Sequence, residues 1–313
     1  MPHFIDFASV GKPALRAILD AAHARKAARR NADGSAWPKG RADADALLAG
    51  HVLAMIFERP STRTRFSFDM GMRQLGGSAI VTTSTEMQLG RGETVADTAR
   101  VLGRFVDAVM LRTASHATLI ELADAAPVPV INGLSDISHP CQVLADIMTF
   151  EERSRRPVEG SCWAWLGDGN NMANSLIEAA SVLNFDLRLG VPHGYDPDNG
   201  VLATACARGA AIDLVRSAND AVDCADVVVT DTWLSMGQDH AKEKLAAMLP
   251  FQVNAALMAR AGQDAMFMHC LPAHRGEEVT DEVLDGPASA AWDEAENRLH
   301  VQKAILLWCL GAL

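Results

Sequence analysis

The feature that most constrains this chain is an alternation of short β-rich runs with longer amphipathic stretches. In the first half the runs are HVLAMIF (51–57), SAIVT (78–82), DAVMLR (107–112) and VPVIN (128–132), separated by helical patterns at 62–75, 94–104 and 116–125. In the second half they are CWAWLG (162–167), LRLGV (187–191), IDLVR (212–216), DVVVTD (226–231) and AMFMH (265–269). Strands that alternate with helices build parallel sheets covered on both faces. The expected fold is therefore α/β, with two doubly wound parallel sheets. At 313 residues the chain exceeds one ordinary core and fits two domains. A helical stretch at 139–152 bridges them, giving a first domain over 1–138 and a second over 139–296. The C-terminal helical segment 297–313 packs back and completes the first. The helix at 62–75 stops at Gly76-Gly77. The polar, turn-rich stretch 30–45 reads as a surface loop.

In open parallel sheets, ligands bind outside the carboxyl ends of the strands. Function should therefore concentrate in the loops that follow the runs. The first such loop, in FERPSTRTRFSF (57–68), gathers Ser61, Thr62, Arg63, Thr64 and Arg65. The chain carries a net charge of −11, so these arginines stand out against an acidic background. That background argues against a nucleic-acid partner, whose phosphates favour a basic surface. Ser61 or Thr62 can cap the next helix, and the free N–H groups of a helix start bind anions. Arginine adds planar, bidentate donors. The pattern suits phosphate, although it is not a P-loop, because GxxxxGK[ST] is absent.

Four more strand-end loops carry chemistry. In HPCQVLAD, a neutral His139 and the Gln142 amide one turn later can address a single carbonyl oxygen. WLGDGNNMANS lacks the GxGxxG of a dinucleotide turn. Its paired amides, Asn170 and Asn171, suit a carboxylate or an amino group instead. DTWLSMGQ sets Asp231 at a strand end before the turn Ser235-Met236-Gly237, a combination suited to an amino-acid zwitterion. HCLPAHRGEEV puts Cys270 at another strand end beside His269, with His274 and Arg275 close by, which favours a perturbed thiol. Each loop alone also reads as an ordinary polar connection. Their recurrence at strand ends is what points to a site.

No run approaches the roughly 20 apolar residues of a membrane span, and MPHFIDFASV has no signal-peptide pattern. The cysteines at 141, 162, 206, 224, 270 and 309 form no CxxC pair, which suggests neither a disulfide framework nor a zinc site. A reducing cytoplasm is the simplest reading.

FERPSTRTRFSFDMG, DTARVLGR, LRT, HPCQVLAD, GDGNNMANS, DTWLSMG, HCLPAHRGEEV and ENRLHVQKA resemble, in the same order, the motifs of ornithine carbamoyltransferases over almost the whole chain. STRTR and HPxQ belong to the wider carbamoyltransferase group, whereas the SMG turn and HCLP mark the ornithine branch. The resemblance implies transfer of the carbamoyl group of carbamoyl phosphate to the δ-amino group of L-ornithine, giving L-citrulline and phosphate. It implies a carbamoyl-phosphate domain followed by an ornithine domain, with the active site in the cleft between them. Ser61, Thr62, Arg63 and Thr64 would form the phosphate cradle. Arg112, His139 and Gln142, with Pro140 and Cys141 of the same motif, would hold and polarise the carbamoyl end. Arg298 would add a further contact, and Gln88 would reach a neighbouring subunit's site. Asn171, Asp231, Ser235 and Met236 would bind the ornithine zwitterion. Cys270 and Leu271 would lie beside the attacking amine, with Arg112, His139, Cys270 and Asp231 catalytic.

The family implies trimers with shared sites, no metal and no organic cofactor. Arg59 stands where the family often has lysine, which keeps the charge. A chain short for the family points to arginine biosynthesis rather than degradation. The alternatives are a sister enzyme using putrescine or an acylated ornithine, a silent binding subunit, and a nucleotide-dependent oxidoreductase. The SMG turn, the intact STRTR, HPCQ and HCLP motifs, and the missing glycine fingerprint disfavour them in turn.

Overall fold

The computed structural model of the chain describes residues 1–83, 86–87, 92–234 and 241–313, with Ala241 by its backbone alone. Two parallel sheets form, as the alternation predicts. β1 (Val52–Phe57), β2 (Ser78–Thr83), β3 (Ala108–Arg112) and β4 (Val130–Leu134) make a four-stranded sheet in the order β2-β1-β3-β4. β5 (Cys162–Leu166), β6 (Asp186–Gly190), β7 (Ile212–Val215), β8 (Val227–Thr230) and β9 (Met266–His269) make a five-stranded sheet in the order β7-β6-β5-β8-β9. The central strands are near-continuous apolar runs because helices cover both faces. Leu53, Met55 and Ile56 of β1 and Trp163, Trp165 and Leu166 of β5 are fully buried.

The strand orders decide which loops become neighbours. In each sheet the winding reverses beside the first strand, and there the loops after two adjacent strands diverge to leave a crevice. β1 and β3 flank one such point, with Phe57 paired to Arg112 in register. β5 and β8 flank the other, with Leu166 paired to Thr230, and β8 in turn pairs Thr230 to His269 of β9. STRTR thus comes beside Arg112, and the loops carrying Asn170, Asp231 and Cys270 come together.

The fold divides into two compact units, Met1–Met148 with Asn297–Leu313, and Thr149–Glu296. Both divisions fall inside helices, Pro140–Ser154 and Ala291–Cys309. Residues 139–148, which the sequence suggested for the second domain, lie in the first unit. The cause is local. The Ser138 backbone N–H donates to Ser135 Oγ at 3.1 Å, and the Cys141 thiol donates to the Asn132 carbonyl at 3.3 Å, tying the helix start to β4.

The C-terminal helix is anchored by charge as well as by apolar packing. Lys303 is fully buried; its Nζ lies 2.6 Å from Asp43 Oδ2 and donates to Gln74 Oε1 at 3.0 Å. Arg29 reaches the other Asp43 oxygen at 2.6 Å. Desolvation lowers the Lys303 pKa against the pull of Asp43. The 30–45 stretch is therefore more than a surface loop, since its Asp43 supplies a carboxylate that the buried Lys303 needs. Among the described residues, no helix is long and apolar enough to cross a membrane.

Candidate active site

In the first unit, Ser61 is the N-cap of the Thr62–Gln74 helix, and its Oγ accepts the Thr64 N–H at 3.3 Å. The Ser61 hydroxyl also donates to Thr64 Oγ1 at 3.1 Å. Thr64 Oγ1 accepts from Arg298 Nη2 at 2.8 Å, bringing a buried arginine of the C-terminal helix to the cradle from 234 positions along the chain. Glu58 fastens the neighbouring loop: its Oε2 accepts the Thr113 hydroxyl at 2.6 Å and the Ala114 N–H at 2.9 Å. The STRTR loop and the loop behind Arg112 are thereby joined.

His139 is 4% exposed. Burial, first, and then the nearby charges of Arg298, Arg112 and Arg63 hold its pKa well below the ordinary imidazole value. The ring is neutral at physiological pH and offers one N–H donor. Three guanidinium groups from three separate elements thus converge on one buried, uncharged ring. Such a concentration of positive charge is stabilised by an anion, and arginine presents the fork that phosphate oxygens fit.

In the second unit, Asn170 caps the Asn171–Leu183 helix through Oδ1, which accepts the Met172 N–H at 2.9 Å and the Ala173 N–H at 3.2 Å. Its Nδ2 is thereby turned to donate to Asp231 Oδ2 at 3.1 Å. Asp231 Oδ1 accepts the Thr232 N–H at 2.7 Å, the Thr232 hydroxyl at 3.0 Å and the Cys270 thiol at 2.9 Å. Behind Cys270, the buried His269 and Glu278 form a second relay. His269 Nδ1 accepts the Leu271 N–H at 2.8 Å, so its Nε2 carries the proton toward Glu278 Oε1 at 3.2 Å. Leu271 takes φ +58, a left-handed conformation unfavourable for a leucine, and this hydrogen bond helps to hold it there.

Two family models match the chain. The aspartate/ornithine carbamoyltransferase carbamoyl-P binding domain matches residues 2–152, and the Asp/Orn binding domain of the same enzymes matches 159–309. The chain belongs to the aspartate/ornithine carbamoyltransferase family. An ornithine carbamoyltransferase of Rhizorhabdus wittichii is 63% identical over 310 residues, covering 99% of this chain and 98% of that protein. The ornithine carbamoyltransferase structure from Pyrococcus furiosus superposes with a TM-score of 0.91 at 46% identity, covering 99% of this chain and 97% of that one. The anabolic ornithine carbamoyltransferase structure from Campylobacter jejuni gives 0.90 at 37% identity, covering 99% of each.

Within this carbamoyltransferase framework the sequence-derived residues fall into two groups. Ser61, Thr62, Arg63, Thr64, Arg112, His139, Pro140, Cys141, Gln142 and Arg298 lie in the first unit, and Asn171, Asp231, Cys270 and Leu271 in the second. Gln88, Ser235 and Met236 lie outside the described residues. Three details depart from the sequence reading. Gln142 Nε2 donates to Asp146 Oδ1 at 2.9 Å, so one amide hydrogen is already engaged. The Cys141 side chain is buried against Asn132, and burial pushes its thiol up to about 12. Of the paired amides, Asn170 holds Asp231, while Asn171 opens the helix beside it. Asp231, His269 and Cys270 each offer a ligand atom within 4.8 Å of the others. Both His269 nitrogens are engaged by Leu271 and Glu278, so a metal there would have to displace one of them. Glu58, His269 and Glu278 were not singled out as site residues from the sequence. Glu58 and His269 lie at strand ends, whereas Glu278 lies nine residues past β9 in a charged run that carries no such signal.

Proposed function

We propose that this chain is an ornithine carbamoyltransferase, transferring the carbamoyl group of carbamoyl phosphate to the δ-amino group of L-ornithine to give L-citrulline and phosphate. The observation that carries the reading is the convergence of Arg63, Arg112 and Arg298 on the buried, neutral His139. The Ser61–Thr64 cradle with Arg63 holds the phosphate and eases its departure as an anion. Arg112, neutral His139 and Gln142 face the carbamoyl oxygen, where charge develops in the tetrahedral transition state. One donor at such an oxyanion is worth about 10²–10³-fold in rate. Arg298 shapes the cradle through Thr64 and adds positive charge. Pro140 and Cys141 contribute through the backbone of the helix start, because the Cys141 side chain faces Asn132.

In the second unit, Asp231 takes the α-ammonium group of ornithine, with Asn171, Ser235 and Met236 completing the zwitterion site. The δ-amine resembles lysine, with a pKa of about 10.4, and must lose a proton to attack. We assign that proton to Cys270 in its thiolate form, reached when the thiol proton now donated to Asp231 is released to solvent, with Leu271 beside the amine. Binding both substrates at fixed positions converts the encounter into an effectively unimolecular step. No step requires a metal or an organic cofactor.

The deciding measurement compares acceptors. Purified protein with carbamoyl phosphate should form ureido product from L-ornithine far faster than from putrescine, N-acetylornithine or aspartate. Putrescine leaves the carboxylate donors unpaired, and a site built for a polar group rejects an analogue lacking it by roughly 10⁴–10⁵-fold in favourable cases. Preference for any of the other three would overturn the reading. We further propose arginine biosynthesis in the cytoplasm, in keeping with the anabolic enzyme from Campylobacter jejuni. Trimers with Gln88 lent to a neighbouring site are proposed on the family motif. Sedimentation should give three times the chain mass or a multiple of that, and a monomer mass would remove the shared site.

A further inference from the structure

Lys244 lies outside the groups assigned above. It sits on the Ala241–Met248 helix, and its Nζ is 2.5 Å from Asp168 Oδ2, with the two side chains 14% and 22% exposed. Asp168 starts the turn after β5. Its carbonyl accepts the Asn170 N–H at 2.8 Å and the Trp165 indole N–H at 3.0 Å. Gly169 lets this turn close: its N–H donates to the Tyr195 carbonyl at 2.8 Å, and a Cβ there would lie 2.2 Å from the Pro197 nitrogen. The Tyr195 ring centroid is 5.9 Å from Lys244 Nζ. The turn therefore delivers Asn170 in one orientation. Because the helix cap occupies Asn170 Oδ1, only Nδ2 can face Asp231.

We propose that Lys244 and Asp168 are positioning residues for the acceptor amino acid: their ion pair fixes the Asp168–Gly169–Asn170 turn and, through Asn170, the Asp231 carboxylate. Both roles depend on the second unit being the acceptor half, as read above. The pair is mostly shielded from solvent, so it is screened less than a surface pair and worth more than one. Asp231 Oδ1 is already shared among Thr232 and Cys270. If the turn slackens, Oδ2 loses the Asn170 amide and the carboxylate can rotate. A rotated carboxylate meets the α-ammonium group poorly, whereas nothing in the first unit changes.

The test uses the full chain, with initial rates measured against each substrate separately. Lys244→Met should raise the ornithine KM about tenfold, as expected for truncating one partner of a shielded ion pair. The carbamoyl-phosphate KM should stay near wild type. Lys244→Arg keeps the charge and should restore most of the ornithine KM. Asp168→Asn should match Lys244→Met, and the double variant should add little, because the two residues act as one unit. An unchanged ornithine KM in both single variants overturns the proposal. So does a fall in kcat together with a lower melting point at unchanged KM, which is the signature of a structural lysine. Failure of the Arg variant to rescue also counts against it. Wild-type protein that makes no citrulline from ornithine would fail the functional reading itself, whatever the variants do, and the positioning role would fall with it.

Discussion

The two units use the same topological position for opposite chemistry. In the first, the loops after β1 and β3 and the C-terminal helix bring the positive charge of three arginines to bear on a buried imidazole. In the second, the loops after β5, β8 and β9 surround one carboxylate with uncharged donors: an amide, a backbone N–H, a hydroxyl and a thiol. Lys244 of that half is paired with Asp168, in the turn that carries Asn170 to Asp231. Winding direction sets where a site can form, and the residue types in the loops set what it attracts. The first half is organised for charge neutralisation, which works at long range. The second is organised by short hydrogen bonds, which demand orientation.

The contrast is tested most strongly by removing one group from each half and comparing the losses at the same pH. Arg63→Ala should lower kcat/KM for carbamoyl phosphate by about 10²–10³-fold, the scale of losing a preorganised charged donor. Cys270→Ala should cost about 10²-fold, the lower end for a proton acceptor. Its signature is qualitative: the Cys270 variant should show an altered pH–rate profile, whereas the Arg63 variant should keep the wild-type shape at a lower level. Initial rates of citrulline formation across pH would decide it. A larger loss for Cys270→Ala, with unchanged shape, would mean that the thiol binds rather than relays a proton and that orientation outweighs charge.

How much of this contrast the sequence disclosed depended on chain separation. STRTR is contiguous, so its anion chemistry could be read from five neighbouring residues. The nine strands of the described residues could be read because their apolar runs were bounded by polar loops. Arg298 is different: nothing within its own helix marks it as a site residue, and only the resemblance did so, because its partner Thr64 lies 234 positions away. Asn170 and Asn171 were indistinguishable as neighbouring amides until the helix cap fixed which of them turns toward Asp231. Glu278 sits in a charged stretch, AHRGEEV, that reads as exposed, yet its side chain is fully buried on His269. The 30–45 region misled for the same reason. A polar composition says nothing about a buried lysine elsewhere that needs its carboxylate.

A smaller effect should sharpen the comparison through pH. Burial and three arginines lower the pKa of His139 in the folded chain, whereas in the unfolded chain it titrates near its ordinary value of about 6.5. Below that value the unfolded state binds a proton that the folded state refuses, so stability falls as pH decreases. The slope for one such group approaches about 1.4 kcal/mol per pH unit, reached only well below pH 6.5. Above pH 7 neither state is protonated, and the contribution is constant. Replacing His139 with glutamine keeps a neutral donor but cannot titrate. The His139→Gln variant should therefore show a shallower loss of urea resistance between pH 7.5 and about 5.5 than wild type, whatever its stability at pH 7.5. Parallel acid limbs for His139→Gln and wild type would mean that the imidazole protonates normally in the folded state. In that case the arginines would not converge on a neutral ring, and the electrostatic distinction between the two halves would be lost.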